Sequence, residues 1–351
     1  MDIQFKADLK PATEKIHEMK AKKVMLQVPE GLKMKALAYM DELAGEGVDV
    51  YLAAEPCFGA CDLADRQAVE LGCDLLVHVG HSEMHKSMLP TVFIKGTYVF
   101  DTNPIFSNIV DFLKKTGYKK ISLATTAQYS DYLEPLQKHL NSNGFEALIG
   151  EHTQRTSFNG QVLGCSFGSV LNTHKKADAV LYFGDGLFHP LGIALTFEIP
   201  CIWACPMTSE VKSIEDEKRL YLKKRWMKIG VARQAEKWGI VVGLKEGQFR
   251  PYAEQLKKRL EAKGKTAYLI QMDFASPNYV VGMTGKGKIE ALVCVSCPRI
   301  PIDDEEMWGK IPFLTIAEME LSIGEDERKK YEFDQMNLAK YPKLTKIVRT
   351  E

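Results

Sequence analysis

The chain has no stretch apolar enough or long enough to cross a bilayer as a helix, which excludes a membrane protein built on spanning helices. It also lacks any excess of charge: 46 basic residues stand against 46 acidic ones. There is thus no electrostatic case for gripping a nucleic-acid backbone, and the expected partners are small molecules or proteins, with no nucleic acid and no membrane. The opening residues, MDIQFKADLKPATEKIHEMK, lack the apolar core of a secretory leader and read as a polar amphipathic helix, which predicts a cytoplasmic protein. Thiols there stay reduced. The eight cysteines are therefore not a disulfide framework, and metal binding, catalysis or core packing remain for them.

What the sequence does contain is a repeat. A chain of 351 residues exceeds one average core and predicts two or three domains. KKVMLQVPEG, KKISLATTAQ and WGIVVGLKEG each run through a β-branched apolar core to a polar end, as a buried parallel strand does. Each precedes a helical pattern closed by glycine, namely Gly47, Gly144 and Gly264, and then a second strand. CDLLVHVGHS, ADAVLYFGDG and EALVCVSCPR supply a third strand; PTVFIKG, IPCIWACP and IPFLTIAE supply a fourth. The pattern predicts an α/β protein of three similar units with parallel-rich sheets, bounded at 1–107, 108–212 and 213–351. The charged run from Ser209 to Trp238 then reads as one or two solvated connector helices opening the last segment.

Ligands of parallel α/β sheets sit beyond the carboxyl ends of the strands, so residues just after strands carry the functional expectation. Cys61 and Cys165 follow the second strands of the first two units, and Cys297 ends the third strand of the third. If the units pack around a pseudo-threefold centre, three thiols from distant stretches meet there. Cys73, Cys201 and Cys294 lie inside apolar patterns and read as core. Three thiolates without a fourth suit an iron–sulfur cluster with one open iron. Zinc is the alternative, using the pairs Cys57 and Cys61, Cys201 and Cys205, and Cys294 and Cys297.

Other motifs are weaker. GMTGKGKI, Gly282 to Ile289, imitates a phosphate loop but has Ile289 where a hydroxyl must reach magnesium, and a strand follows instead of a helix, so it reads as a surface turn. His81 and His85 have i, i+4 spacing that could put two imidazoles on one helix face, without the neighbouring glutamate of zinc proteases. GHS (Gly80 to Ser82) and GDG (Gly184 to Gly186) end strands with glycines that admit a ligand close to the backbone. In VPEGL, amides beginning a helix could hold a carboxylate and Glu30 an ammonium group; a capping turn explains the same residues.

In order along the chain, PEGL, GACDLAD, GHS, GQVLGC, GDGLFH and CPRIPIDD resemble the motifs of the diphthamide synthase family, 2-(3-amino-3-carboxypropyl)histidine synthase, in its single-subunit archaeal form. The resemblance implies three Rossmann-like domains, each giving one cysteine to a 4Fe-4S cluster: Cys61, Cys165 and Cys297. It implies a homodimer and an electron donor. It further implies that S-adenosylmethionine, bound at the open iron, is cleaved to a 3-amino-3-carboxypropyl radical, which adds to imidazole C2 of a histidine on translation elongation factor 2. No catalytic side chain beyond the cluster is implied. The Cys-x3-Cys-x2-Cys loop of ordinary radical S-adenosylmethionine enzymes is missing, which leaves Cys57 structural or outside the ligand set. Glu30, Gly31, His81, Ser82, Gly184, Asp185, Gly186 and Gln248 are the candidates for the S-adenosylmethionine pocket, and Leu187 stands where relatives often carry arginine. Two other classes of protein fit the residues alone: a zinc-stapled three-domain binding protein without catalysis, and a nucleotide- or sugar-binding protein with buried thiols.

Overall fold

The computed structural model describes residues 3–248, 250–303, 306–324 and 331–336. Phe249, Asp304 of the CPRIPIDD motif, the first two residues and most of the C-terminal tail lie outside the described residues.

The first third contains β1 (Gln4–Lys6), β2 (Lys23–Gln27), β3 (Asp49–Ala53), β4 (Leu75–Val79), β5 (Thr91–Ile94) and β6 (Thr97–Val99). The next third contains β7 (Lys120–Thr125), β8 (Glu146–Ile149), β9 (Ala179–Phe183), β10 (Cys201–Cys205) and β11 (Glu210–Ser213). The last contains β12 (Lys237–Val242), β13 (Thr266–Gln271), β14 (Ala291–Cys294) and β15 (Phe313–Leu314). Three larger sheets result, ordered β3-β2-β4-β5, β8-β7-β9-β10-β11 and β13-β12-β14-β15. In each the first strand of its unit lies between the second and the third, pairing with both in parallel. Each first strand therefore borders a topological switch point, with a crevice beyond its carboxyl end.

The buried strands explain why the apolar runs are continuous. In the first sheet Val24 and Leu26 face a core with Leu9, Ile16 and Leu43, while Met25 and Leu76 face Ala64 and Ala68 on the other side. In the third, Trp238 and Ile240 pack with Leu256 and Leu260, whereas Val241 and Leu292 meet Trp308 and Phe313. Both faces are covered, so alternation disappears. The helices Ala36–Ala44, Leu133–Ser142 and Ala253–Ala262 follow the three first strands. Gly47, Gly144 and Gly264 come just after them at φ of 79°, 85° and 76°, a left-handed conformation that strains residues with a Cβ.

The chain forms two compact units. One comprises the residues up to Leu163 with Phe167–Gly186 and Ile202–Lys212; the other comprises Gly164–Ser166, Leu187–Cys201 and the chain from Ser213 onward.

Three local expectations change. The N-terminal segment is not one helix: β1 pairs antiparallel with β6, and the helix is confined to Lys10–Met19, where Pro11 suits the first turn. The supposed connector is a single helix, Glu215–Ala232, that buries Tyr221, Arg225, Ile229 and Ala232. Its charged composition looked solvated because an arginine paired across 93 residues of sequence leaves no local trace. Residues His81 to Pro90 form no helix, so the spacing of His81 and His85 does not put them on one helix face. The GMTGKGKI segment is a turn, with Gly285 and Gly287 at φ of 126° and 75° and the Lys288 ammonium on the Gly282 carbonyl.

Among the described residues no helix is long and apolar enough to cross a membrane.

Candidate functional site

The carboxyl end of the first sheet gathers the richest chemistry. Gly80 follows β4 at φ of 100°, and a Cβ there would stand 2.9 Å from Pro29 Cγ and 3.3 Å from Leu32 Cδ1. Both conformation and space therefore require glycine where GHS meets PEGL. His78 and His81 turn toward one another: His78 Nε2 and His81 Nδ1 are 2.9 Å apart. His78 Nδ1 is 2.9 Å from Gln27 Oε1 at the end of β2. Burial drives both imidazoles toward the neutral form, His78 well below its ordinary range and His81 to about 4.

Cys57, on the loop leading to Cys61, brings its thiol within 4.8 Å of these imidazoles, which makes Cys57, His78 and His81 a group able to hold a metal ion. Sequence reasoning missed His78 and Gln27. The available signal was a histidine and a glutamine inside otherwise apolar strands, since a fully buried polar side chain requires a partner.

The remaining pocket candidates are distributed. Glu30 and Gly31 open a short 3-10 turn, Glu30–Lys35, where Glu30 is exposed and paired with Lys33. A Cβ on Gly31 would meet nothing within 4 Å, so no close approach explains that glycine. Ser82 Oγ accepts from Gln161 Nε2 at 2.9 Å, linking GHS to the glutamine of GQVLGC, and Gln128 Nε2 donates to the Gly80 carbonyl. After β9, Gly184 is crowded by Tyr182, whose hydroxyl would lie 2.8 Å from an added Cβ; its carbonyl accepts from Trp203 Nε1 at 2.9 Å. Desolvation lifts the Asp185 carboxyl above its usual range, and Gly186 is left-handed at φ of 64°. In the other unit Gln248 is buried and its Oε1 accepts from Ser296 Oγ at 3.5 Å, next to Cys297.

The eight cysteines divide by accessibility. Cys57, Cys73, Cys201, Cys205 and Cys294 are buried, whereas Cys61, Cys165 and Cys297 are partly exposed. Burial raises the Cys294 thiol to about 12 and lifts Cys73 and Cys201 as well, which keeps them protonated and inert. Cys61 belongs to the first compact unit and Cys165 and Cys297 to the second, and each of the three is partly exposed. The zinc pairing fits less well. Cys201 and Cys205 are opposite ends of one strand, roughly 13 Å apart at the rise of extended chain. Cys294 Sγ donates to the Cys297 carbonyl at 3.4 Å, so that pair is joined by a hydrogen bond.

Around Cys165 and Cys297 the second unit supplies supports that the sequence did not reveal. The Met336 amide donates to the Cys165 carbonyl at 2.9 Å, and the same C-terminal segment is fastened by the buried pair Arg250 and Asp334. A Cβ on Gly164 would lie 1.9 Å from the Phe188 ring, so the glycine before Cys165 makes room for the phenylalanine of GDGLFH. Arg299 of CPR stacks on that ring at 3.7 Å and forks onto Asp303. Burial, with the Arg299 charge adding to it, holds His189 down to about 3.

Comparison with known proteins agrees over nearly the whole chain. Residues 28–333 match the family described as putative diphthamide synthesis protein. The 2-(3-amino-3-carboxypropyl)histidine synthase of Pyrococcus horikoshii is 37% identical over 335 residues, covering 93% of each chain. The protein of the same name from Methanocaldococcus jannaschii is 29% identical, covering 90% of this chain and 87% of its own. A crystal structure of Dph2 from Pyrococcus horikoshii with a 4Fe-4S cluster superposes with a TM-score of 0.86 at 34% identity, over 95% of this chain and 94% of that one. The chain belongs to the diphthamide synthesis family, and the relatives it matches are transferases.

Proposed function

We propose that this chain carries out the first step of diphthamide biosynthesis, transferring a 3-amino-3-carboxypropyl group from S-adenosylmethionine to imidazole C2 of a histidine on translation elongation factor 2. The observation that carries the reading is the division of the thiols: Cys61, Cys165 and Cys297, the three cysteines of the family's motifs, are also the three that are not buried. In this reading they hold a 4Fe-4S cluster and leave one iron open. The reduced cluster, supplied with an electron from a donor, provides the cleavage of the bond between sulfur and the methionine γ-carbon.

The protein's own part is to hold and orient. Chain segments at the strand ends bind S-adenosylmethionine so that the γ-carbon bond is the one exposed to reduction, through Glu30, Gly31, His81, Ser82, Gly184, Asp185, Gly186 and Gln248. Support for this comes from the hydrogen bond joining Ser82 to the GQVLGC motif and from the glycines at positions 80 and 184 where a side chain would collide. Burial raises the thiols of Cys73, Cys201 and Cys294 and so keeps them from competing as thiolates. The repetition of one core strand order in three sheets supports a three-domain division at 107 and 212; a pseudo-threefold centre and a cytoplasmic homodimer belong to the same reading.

The test is purification without oxygen, assay of iron and sulfide, and electron paramagnetic resonance after dithionite with and without S-adenosylmethionine. A reduced 4Fe-4S signal that S-adenosylmethionine perturbs is expected. It should vanish in Cys61→Ala, Cys165→Ala and Cys297→Ala and persist in Cys73→Ala and Cys201→Ala. Stoichiometric zinc, or a cluster retained by all three motif variants, would sink the reading.

A further inference from the structure

We propose that Gln27 and His78 are positioning residues that lock His81 in its Nδ1–H tautomer, so that His81 Nε2 is offered as a hydrogen-bond acceptor to an N–H or O–H group of the ligand bound beyond β4. The ligand part rests on the reading of that strand end as part of the S-adenosylmethionine pocket; the lock does not.

Two backbone groups set the direction, because a carbonyl can only accept and an amide N–H can only donate. Gln27 Nε2 donates to the Asp62 carbonyl at 2.7 Å, and the Ala64 amide donates to Gln27 Oε1 at 3.1 Å. Turning the glutamine amide over would lose both bonds. Its oxygen therefore faces His78 Nδ1, which must carry the hydrogen in their 2.9 Å contact. His78 is completely buried, which favours its neutral form, and its Nε2 then holds a lone pair. That lone pair is 2.9 Å from His81 Nδ1, which must in turn be the protonated nitrogen. A neutral His81 is then left with its lone pair on Nε2, for which no hydrogen-bond partner exists among the described residues.

The same chain weighs against a metal on Cys57, His78 and His81, since the His78 lone pair that an ion would need is already engaged by His81. It also predicts how the lock can be reversed. A carboxylate at position 27 would draw a proton onto His78, whose Nε2–H would then donate to His81 Nδ1. His81 would have to carry its hydrogen on Nε2 and become a donor toward the ligand, with almost no change of shape. This is the logic by which a buried carboxylate or amide sets the tautomer of a histidine in hydrolases.

The experiment uses full-length protein with its oxidised cluster, labelled with nitrogen-15. Long-range proton–nitrogen spectra distinguish protonated from unprotonated ring nitrogens. Both His78 and His81 are expected as neutral Nδ1–H tautomers near neutral pH, and S-adenosylmethionine is expected to shift His81 Nε2 far more than any nitrogen of His78. Gln27→Glu should move the His81 hydrogen to Nε2 and weaken S-adenosylmethionine binding by about tenfold, the scale of one hydrogen bond. His78→Phe, which keeps a ring in place, should leave His81 a mixture of tautomers. Finding His81 as Nε2–H in the unaltered protein, or bound zinc on these imidazoles, would overturn the lock. Unchanged affinity in a Gln27→Glu protein whose tautomer had flipped would overturn the acceptor role. Failure of S-adenosylmethionine to bind the unaltered protein removes the co-substrate reading and the named ligand, while the tautomers of the unliganded protein still decide the lock.

Discussion

Two buried polar networks, one in each compact unit, are built on opposite principles. In the second unit Arg225 and Glu318 are both fully buried, with Nε to Oε1 at 2.7 Å and Nη2 to Oε2 at 2.6 Å. The guanidinium also donates to the carbonyls of Pro301 and Phe313, and Glu318 accepts from Tyr331 and from the Thr315 amide of its own helix cap. Charges cancel, and both charged groups are bound by several partners. In the first unit Gln27, His78 and His81 bury no charge, and their chain ends on a nitrogen without a hydrogen-bond partner among the described residues. A network whose charges are paired with one another serves the fold, whereas one that ends on an unpaired nitrogen has an atom left to offer.

Breaking the charged network should cost most. Glu318→Ala leaves the Arg225 charge buried without its partner and is expected to lower stability by about 3–5 kcal/mol in urea denaturation. Replacing both residues with apolar ones, Arg225→Met with Glu318→Leu, should recover most of that loss. If the single variant is as stable as the parent, the network is not what holds this helix in place.

The two networks should also separate by pH. His81 is held at about 4 against an ordinary 6.5, so between these values the unfolded chain binds more protons and stability rises with pH. The contribution is complete above 6.5 and declines as pH falls toward 4, on the order of 3 kcal/mol in all. His78 acts in the same direction, and His189, held at about 3, extends the decline below pH 4. Burial would raise the Glu318 carboxyl, but Arg225 and the hydrogen bonds hold it below its ordinary 4.5, so its contribution is present above 4.5 and disappears only in stronger acid. Urea midpoints measured between neutral and mildly acidic pH should therefore fall in the parent protein and fall less in His81→Asn. An equal slope in both would remove the imidazoles as the cause.

The smallest effect concerns the backbone that presents the open end. Gly80→Ala forces a Cβ into left-handed geometry and against Pro29, and should cost about 1–2 kcal/mol, with a larger loss of S-adenosylmethionine affinity than of stability. A neutral outcome in both measurements would show that Pro29 gives way easily.

Much of this was legible in local patterns. The three glycines at 47, 144 and 264 and the apolar strands in their repeated succession determined three parallel-rich sheets, because strand and helix periods and left-handed caps are properties of neighbouring residues, whereas the spatial order of the strands was not written in that pattern. The positions of Cys61, Cys165 and Cys297 beyond strands, and the burial of Cys73, Cys201 and Cys294, were readable for the same reason. The Glu215–Ala232 helix and the histidines were not. Arg225 finds Glu318 at a separation of 93 residues and His78 finds Gln27 at 51, so nothing beside them in the chain announces the partner. By itself the sequence determined the elements, their order and the residues placed at strand ends. Only the tertiary structure decided which polar side chains are neutral, which are charged and which nitrogen carries the hydrogen, because those depend on burial and on partners that the fold alone brings together.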